Sequence, residues 1–203
     1  PEGNVGGGTG MAAYGFKGGI GTSSRVIAIG NKNFTVGVLV QANYGAREQL
    51  RIAGVPVGKE LTEPEPTKGS DENNGNSLIA IVATDVPLLP SHLKRVAKHV
   101  SLGLARNGSI TMNESGDIFV AFSTVNTISP DFSIPIKFDS IPLGGFDSVF
   151  QATVEATEEA IINALIAAET MTGVDNNTIY ALPHDRLREI LKKYNRLSEG
   201  KEK

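Results

Sequence analysis

The chain has 203 residues, a net charge of −3 and no cysteine, and 40% of its residues are hydrophobic. This composition is typical of a globular protein with a substantial core, and the lack of excess positive charge argues against nucleic acid or an anionic membrane surface as a partner. The absence of cysteine excludes disulfides, thiolate nucleophiles and zinc–cysteine sites. No apolar run reaches the roughly 18 residues that indicate a transmembrane helix, and we favour a cytoplasmic location.

The first part of the chain is dense in glycine. Residues Gly3 to Arg25 predict a loop with tight turns and a short helix near Met11–Tyr14. A phosphate-binding loop is the alternative interpretation, but its GxxxxGK[ST] pattern is absent, because Lys17 follows Phe16. We therefore favour backbone packed tightly near an active site or a subunit contact.

Two β-rich runs, 25–30 and 34–41, are separated by a short polar turn and predict a hairpin. The segment Glu60–Asn76 is polar and turn-prone, and its composition predicts a weakly anchored linker. A strand over Ser77–Thr84 follows it abruptly. The question is whether this junction is an ordinary loop-to-strand transition or a cleavage site.

Helical periodicity predicts a helix that ends near Gly108, and then a strand over 115–124. A long helix is predicted from Asp147, as a possible cap, to Thr172, and a last helix from Asp185 to Tyr194. The broad apolar face of the long helix suits either a core or a subunit contact. Strands with appended helices indicate a layered fold in one domain, 1–203.

The three histidines do not predict a metal site. His92 and His99 lie about 10 Å apart along one helix, and His184 opens another. No GxSxG motif or histidine base accompanies a plausible serine, so a conventional serine triad is not indicated. We expect no metal and no cofactor.

An amino-terminal serine would combine nucleophile and base, since an α-amino group has a pKa of about 7.7–8.0. Ser77 becomes such a residue if its hydroxyl attacks the Asn76 carbonyl and the resulting ester is hydrolysed. Residue types alone leave both interpretations of this junction open.

Eight stretches, spread in order over nearly the whole chain, resemble the L-aminopeptidase/D-Ala-esterase/amidase family, which includes the β-aminopeptidases. The stretches are EGNVGGGTGM, FKGGIGTSSR, TVGVLVQANYG, LRIAGVPVG, NSLIAIVATDVPLLP, LGLARNGS, SGDIFVAFST and ALIAAETMTG. The family pattern begins upstream of Pro1, so we expect the chain to be a piece of a longer one.

The resemblance implies self-cleavage between Asn76 and Ser77. Residues 1–76 would be the C-terminal part of the first subunit and 77–203 the second subunit, with Ser77 as the nucleophile. The matching motifs imply that Ser115 and Asp117 orient and polarise this serine, and that Asn43 stabilises the oxyanion. The family commonly has glycine before the nucleophile, whereas this chain has Asn76.

The fold implied is α+β, a four-layer αββα sandwich like that of N-terminal nucleophile hydrolases. The function implied is an aminopeptidase or amidase acting on small peptides or on amino-acid amides or esters. An acyltransferase related to ornithine acetyltransferase, and a non-catalytic relative, are the alternatives. The resemblance also implies a homo-oligomer, a tetramer of processed pairs, with no nucleic-acid or membrane partner.

Overall fold

A computed structural model describes residues 1–65, 77–127, 130–131, 133, 135 and 137–197. The strands are β1 Ala12–Ala13, β2 Phe16–Lys17, β3 Gly19–Ile29, β4 Lys32–Asn43, β5 Ser77–Thr84, β6 Ile118–Ser123, β7 Met171–Thr172 and β8 Thr178–Ile179. The helices are α1 Val57–Glu60, α2 Pro90–Arg106, α3 Phe146–Ile166 and α4 His184–Lys193. No helix in these described ranges has the length and apolarity needed to cross a bilayer.

The main sheet has four strands in the order β3-β4-β5-β6. The β3–β4 hairpin is antiparallel, β4 and β5 are antiparallel, and β5 and β6 are parallel. Since parallel neighbours need a crossover connection, the chain passes from β5 to β6 through α2. The predicted hairpin and the predicted strand Ser77–Thr84 are confirmed, although β3 begins earlier than expected.

One face of the sheet is covered by helices. Alternate side chains of β4 and β5 are buried there, and α3 packs across β3 and β4 while α2 packs on α3. Gly21 permits the closest approach, because a Cβ at this position would lie 1.9 Å from the carbonyl oxygen of Ala160. This face and the two helices form the hydrophobic core.

The opposite face, here called the open face, also carries apolar side chains at alternate positions. Ile79 is 38% exposed, and its neighbours on the same face are comparably exposed, namely Leu39, Ile81, Ile118, Val120 and Phe122. A strand that is apolar on both sides is typical of a sheet packed between two layers. The described residues thus supply one helical layer and one sheet.

Two sequence predictions of helical structure are corrected. A hairpin, β1–β2, replaces the helix expected near Met11–Tyr14, because Tyr14 and Gly15 have φ of 53° and 69° and form a tight turn. The long helix ends at Ile166, short of the predicted end. Its N-cap is Gly145, whereas the predicted cap, Asp147, lies within the first turn.

The segment Glu60–Asn76 was predicted to be weakly anchored, which is wrong for its first residues. Leu61 is only 2% exposed, and Arg47 donates a hydrogen bond to the carbonyl of Pro64 at 2.7 Å. Tyr194 donates to the Glu60 carboxylate at 2.8 Å. The rest of the segment, 66–76, lies outside the described residues.

Candidate active site

Ser77 and Asn43 lie opposite each other at one end of the main sheet. They are direct partners in the antiparallel register of β4 and β5. Ser77 is two residues before Ile79 and Asn43 is four residues after Leu39, and such even spacings put their side chains on the open face. Since directly opposed residues have Cβ atoms roughly 4.5–5.5 Å apart, the two predicted site residues are neighbours.

The Ser77 hydroxyl oxygen has a backbone partner from another strand. The N–H of Gly116, just before β6, donates a hydrogen bond to Ser77 Oγ at 3.0 Å. A Cβ on residue 116 would lie 3.2 Å from the same oxygen, which is tighter than ordinary contact. The motifs did not predict this donor, although the glycine in the SGD motif is a signal for a close approach.

Asp117 contacts the peptide that follows Ser77. Its Oδ1 accepts a hydrogen bond from the N–H of Leu78 at 2.8 Å. Its Oδ2 is buried and accepts no hydrogen bond from any residue that the structure describes. One carboxylate oxygen is therefore fixed beside the start of β5.

Ser115 lies beside the same motif, where its backbone N–H donates to the carbonyl of Met112 at 2.8 Å. Within the described parts of the chain, no hydrogen bond of its hydroxyl is seen. Asn76, the residue before the predicted cleavage, lies outside the described residues. The predicted roles of Ser115, Asp117 and Asn43 remain predictions.

Asn43 is held by the first hairpin. The N–H of Ala12 donates to Asn43 Oδ1 at 2.9 Å. With Oδ1 engaged in this way, the other end of the amide, Nδ2, is the end that can donate to a further group. Neither the sequence motifs nor the spacing predicted that Ala12 would supply this bond.

Two buried tyrosines, Tyr14 and Tyr44, pack against each other close to the end of β4. The rings of Tyr14 and Tyr44 meet edge to face, and their hydroxyl oxygens are 3.3 Å apart. Burial raises the pKa of Tyr14 to about 12. Burial also raises the pKa of Tyr44, with further contributions from Tyr14 and the Asp117 charge. Both phenols are therefore neutral at physiological pH.

The histidines of α2 pack on aromatic rings of α3. His92 contacts Phe146 edge to face, and His99 stacks on Phe150 with ring centroids 3.9 Å apart. Among the described residues, no three His, Cys, Asp or Glu side chains are grouped so that they could hold a metal ion.

Comparison with known families identifies the chain's relatives. The family model for peptidase family S58 matches residues 1–179. This chain belongs to peptidase family S58. The resemblance inferred from the sequence motifs is thereby confirmed.

Two curated relatives of this S58 chain are β-peptidyl aminopeptidases. The protein from Sphingosinicella microcystinivorans is 50% identical, over 98% of this chain and 54% of its own length. The protein from Sphingosinicella xenopeptidilytica is 48% identical, over 94% of this chain and 50% of its own length. The chain thus spans about half the length of the curated relatives it matches.

Solved structures confirm the fold class. A protein of Pyrococcus horikoshii OT3 is 50% identical with a TM-score of 0.89, covering 97% of this chain and 53% of that one. The L-aminopeptidase D-Ala-esterase/amidase of Ochrobactrum anthropi is 46% identical with a TM-score of 0.89, covering 97% and 54%. It is described as a variant of the N-terminal nucleophile hydrolase fold. The S58 chain therefore has the predicted α+β fold of that class.

Proposed function

We propose that this S58 protein is a self-processing aminopeptidase or amidase that works through an acyl-enzyme on Ser77. The observation that carries the proposal is the position of Ser77. It is the first residue of β5, and its Oγ accepts a hydrogen bond from the N–H of Gly116 at 3.0 Å. Asn43 lies opposite it in the β4–β5 register. A nucleophile, a fixed hydrogen-bond donor and an amide are thus gathered at one strand end.

Self-processing begins when Ser77 Oγ attacks the carbonyl carbon of Asn76. The peptide becomes an ester by an N-to-O shift, and water then cleaves the ester, leaving Asn76 with a carboxylate and Ser77 with a free α-amino group. This amino group is the base that the sequence otherwise lacks. The contact of Asp117 with the Leu78 N–H supports a role for this carboxylate near the new amine, where it would favour the charged form.

Substrate cleavage uses the same atoms. The Ser77 amine accepts the hydroxyl proton while Oγ attacks the substrate carbonyl, and the carbonyl oxygen becomes an oxyanion that Asn43 Nδ2 stabilises. The amine returns the proton to the leaving nitrogen, and water hydrolyses the ester on Ser77. The names of the relatives place β-peptides among the substrates to be assayed.

The decisive variant is Ser77→Ala, which removes the atom that attacks in both steps. We expect it to remain a single chain on a denaturing gel and to lose activity on amino-acid p-nitroanilides, by about 10⁴-fold or more. The wild-type smaller fragment should begin Ser-Leu-Ile-Ala on N-terminal sequencing. Ser24→Ala, an exposed serine of β3, is the matched control and should be cut and active.

An uncut wild type, or a Ser77→Ala protein that is both cut and active, overturns the proposal. An L-alanyl and a β-alanyl p-nitroanilide, each assayed with and without an amine acceptor, separate hydrolysis from acyl transfer.

Light scattering tests the proposed homo-oligomer, a tetramer of processed pairs. A single processed pair at micromolar concentration would contradict that assembly.

A further inference from the structure

Lys17 is a buried cation whose ammonium is bound by backbone carbonyls. The residue is only 2% exposed, and no carboxylate of a described residue lies within ion-pair distance of its ammonium. Nζ instead donates to three backbone carbonyls, those of Met11, Gly18 at 3.2 Å and Gly8 at 3.4 Å. Burial lowers the pKa of Lys17 to about 8, so the ammonium still prevails at neutral pH.

One of these carbonyls belongs to the peptide that holds Asn43. The peptide bond between Met11 and Ala12 accepts from the Lys17 ammonium at its C=O and donates to Asn43 Oδ1 from its N–H, at 2.9 Å. A peptide unit is planar and conjugated, so a cation at its oxygen polarises its N–H. The ammonium therefore both fixes this peptide and strengthens its bond to Asn43.

We propose that Lys17 is a positioning residue for the candidate active site. Its ammonium holds the Met11–Ala12 peptide, and that peptide orients the Asn43 amide so that Nδ2 faces the reacting carbonyl beside Ser77. The inference rests on the proposed function, in which Asn43 stabilises the oxyanion. The charge-assisted bond to the Met11 carbonyl makes the Ala12 N–H a stronger donor to Asn43 Oδ1. This bond in turn makes Asn43 Nδ2 a stronger donor.

A purely structural role is the competing interpretation, because the ammonium also satisfies carbonyls of the glycine-rich segment. An apolar residue would fill the same space without the cost of burying a charge. The two roles differ in one measurable respect. A positioning role depends on Asn43, whereas a structural role lowers the population of folded enzyme whether or not Asn43 is present.

The test is a double-mutant cycle of Lys17→Met and Asn43→Ala, with kcat normalised to the processed fraction on a denaturing gel. We expect Lys17→Met to lower kcat about tenfold with little change in KM, because only the transition state carries the oxyanion. In the Asn43→Ala background the same change should have no further effect on kcat. Lys32→Met, an exposed lysine of β4, is the control and should leave activity unchanged.

Lys17→Gln is the second variant, because it retains hydrogen-bond donors while removing the charge. It should fold and show the same dependence on Asn43 if Lys17→Met fails to fold. An equal loss in both backgrounds, unchanged kcat in the Lys17 variants, or a Lys17→Gln protein that does not fold each overturns the positioning role. Failure of the proposed function is distinguishable, because it shows in Ser77→Ala and Asn43→Ala without any Lys17 variant. A fully active Asn43→Ala would overturn both the oxyanion role of Asn43 and the positioning role of Lys17.

Discussion

Lys17 and Asp117 are two charged groups that flank the candidate site, and their hydrogen bonding differs. The Lys17 ammonium donates to three carbonyls. Asp117 uses one oxygen for the Leu78 N–H, while its buried Oδ2 accepts nothing from the described residues. Because hydrogen bonds to ionised groups are the stronger ones, each charge fixes the backbone that it contacts: Lys17 fixes the Met11–Ala12 peptide, and Asp117 fixes the start of β5.

The strongest test of this difference is Asp117→Asn. The amide keeps the shape and can still accept from Leu78, but the charge beside the Ser77 amine is lost. We expect kcat to fall about 10²-fold while the free energy of unfolding changes by less than about 1 kcal/mol. Glu114→Gln makes the same charge change at an exposed neighbour and should be silent. Full activity with an unaltered pH profile would remove Asp117 from the site.

Gly116→Ala separates the position of Ser77 from the charge of Asp117. The new methyl group would lie 3.2 Å from Ser77 Oγ, so this oxygen must shift by a few tenths of an ångström. We expect kcat to fall about tenfold, because catalysis is sensitive to misplacement of the attacking atom. Gly144→Ala is the matched control, since a Cβ there has no neighbour within 4 Å. A Gly116→Ala enzyme with wild-type kcat would show that this contact does not position the nucleophile.

The smallest expected effect concerns Lys17 and the pH dependence of stability. Burial lowers its pKa to about 8, so above that pH the native chain has released a proton that the unfolded chain still binds. The free energy of unfolding of the wild type, relative to Lys17→Met, should therefore rise between pH 7 and 8.5, by less than about 1 kcal/mol.

Urea denaturation of both proteins across this range checks the sign of the change. A relative stability that falls as the pH rises would contradict the lowered pKa.

Sequence reasoning succeeded where the pattern is local. The run of apolar β-forming residues predicted β5 at Ser77–Thr84, and the motif resemblance indicated Asn43, which lies at the end of β4. It failed where residues that are distant in the sequence determine the local structure. The end of α3 is an example, because Asn4 accepts a hydrogen bond from the backbone N–H of Glu169 at 2.9 Å, just beyond the helix.

The candidate site shows the same contrast between local patterns and contacts with distant residues. The motifs indicated Ser77, Ser115, Asp117 and Asn43 as residues, whereas the backbone donors of Gly116 and Ala12 are visible only in three dimensions. A backbone N–H is present at every residue except proline, so no residue type signals which one will be used. Lys17 was noted only for failing to fit a phosphate loop.

The pairing of β4 with β5 determines what cleavage before Ser77 would produce. Val36–Asn43 and Ser77–Thr84 are neighbours in the interior of one sheet, and the two sequences lie on opposite sides of the proposed cut. The products would share the β4–β5 hydrogen bonds and a common core. They would therefore stay associated on dilution, in sedimentation and in size-exclusion chromatography. Separating them would require unfolding both, and each fragment alone would expose an unpaired strand edge prone to aggregation.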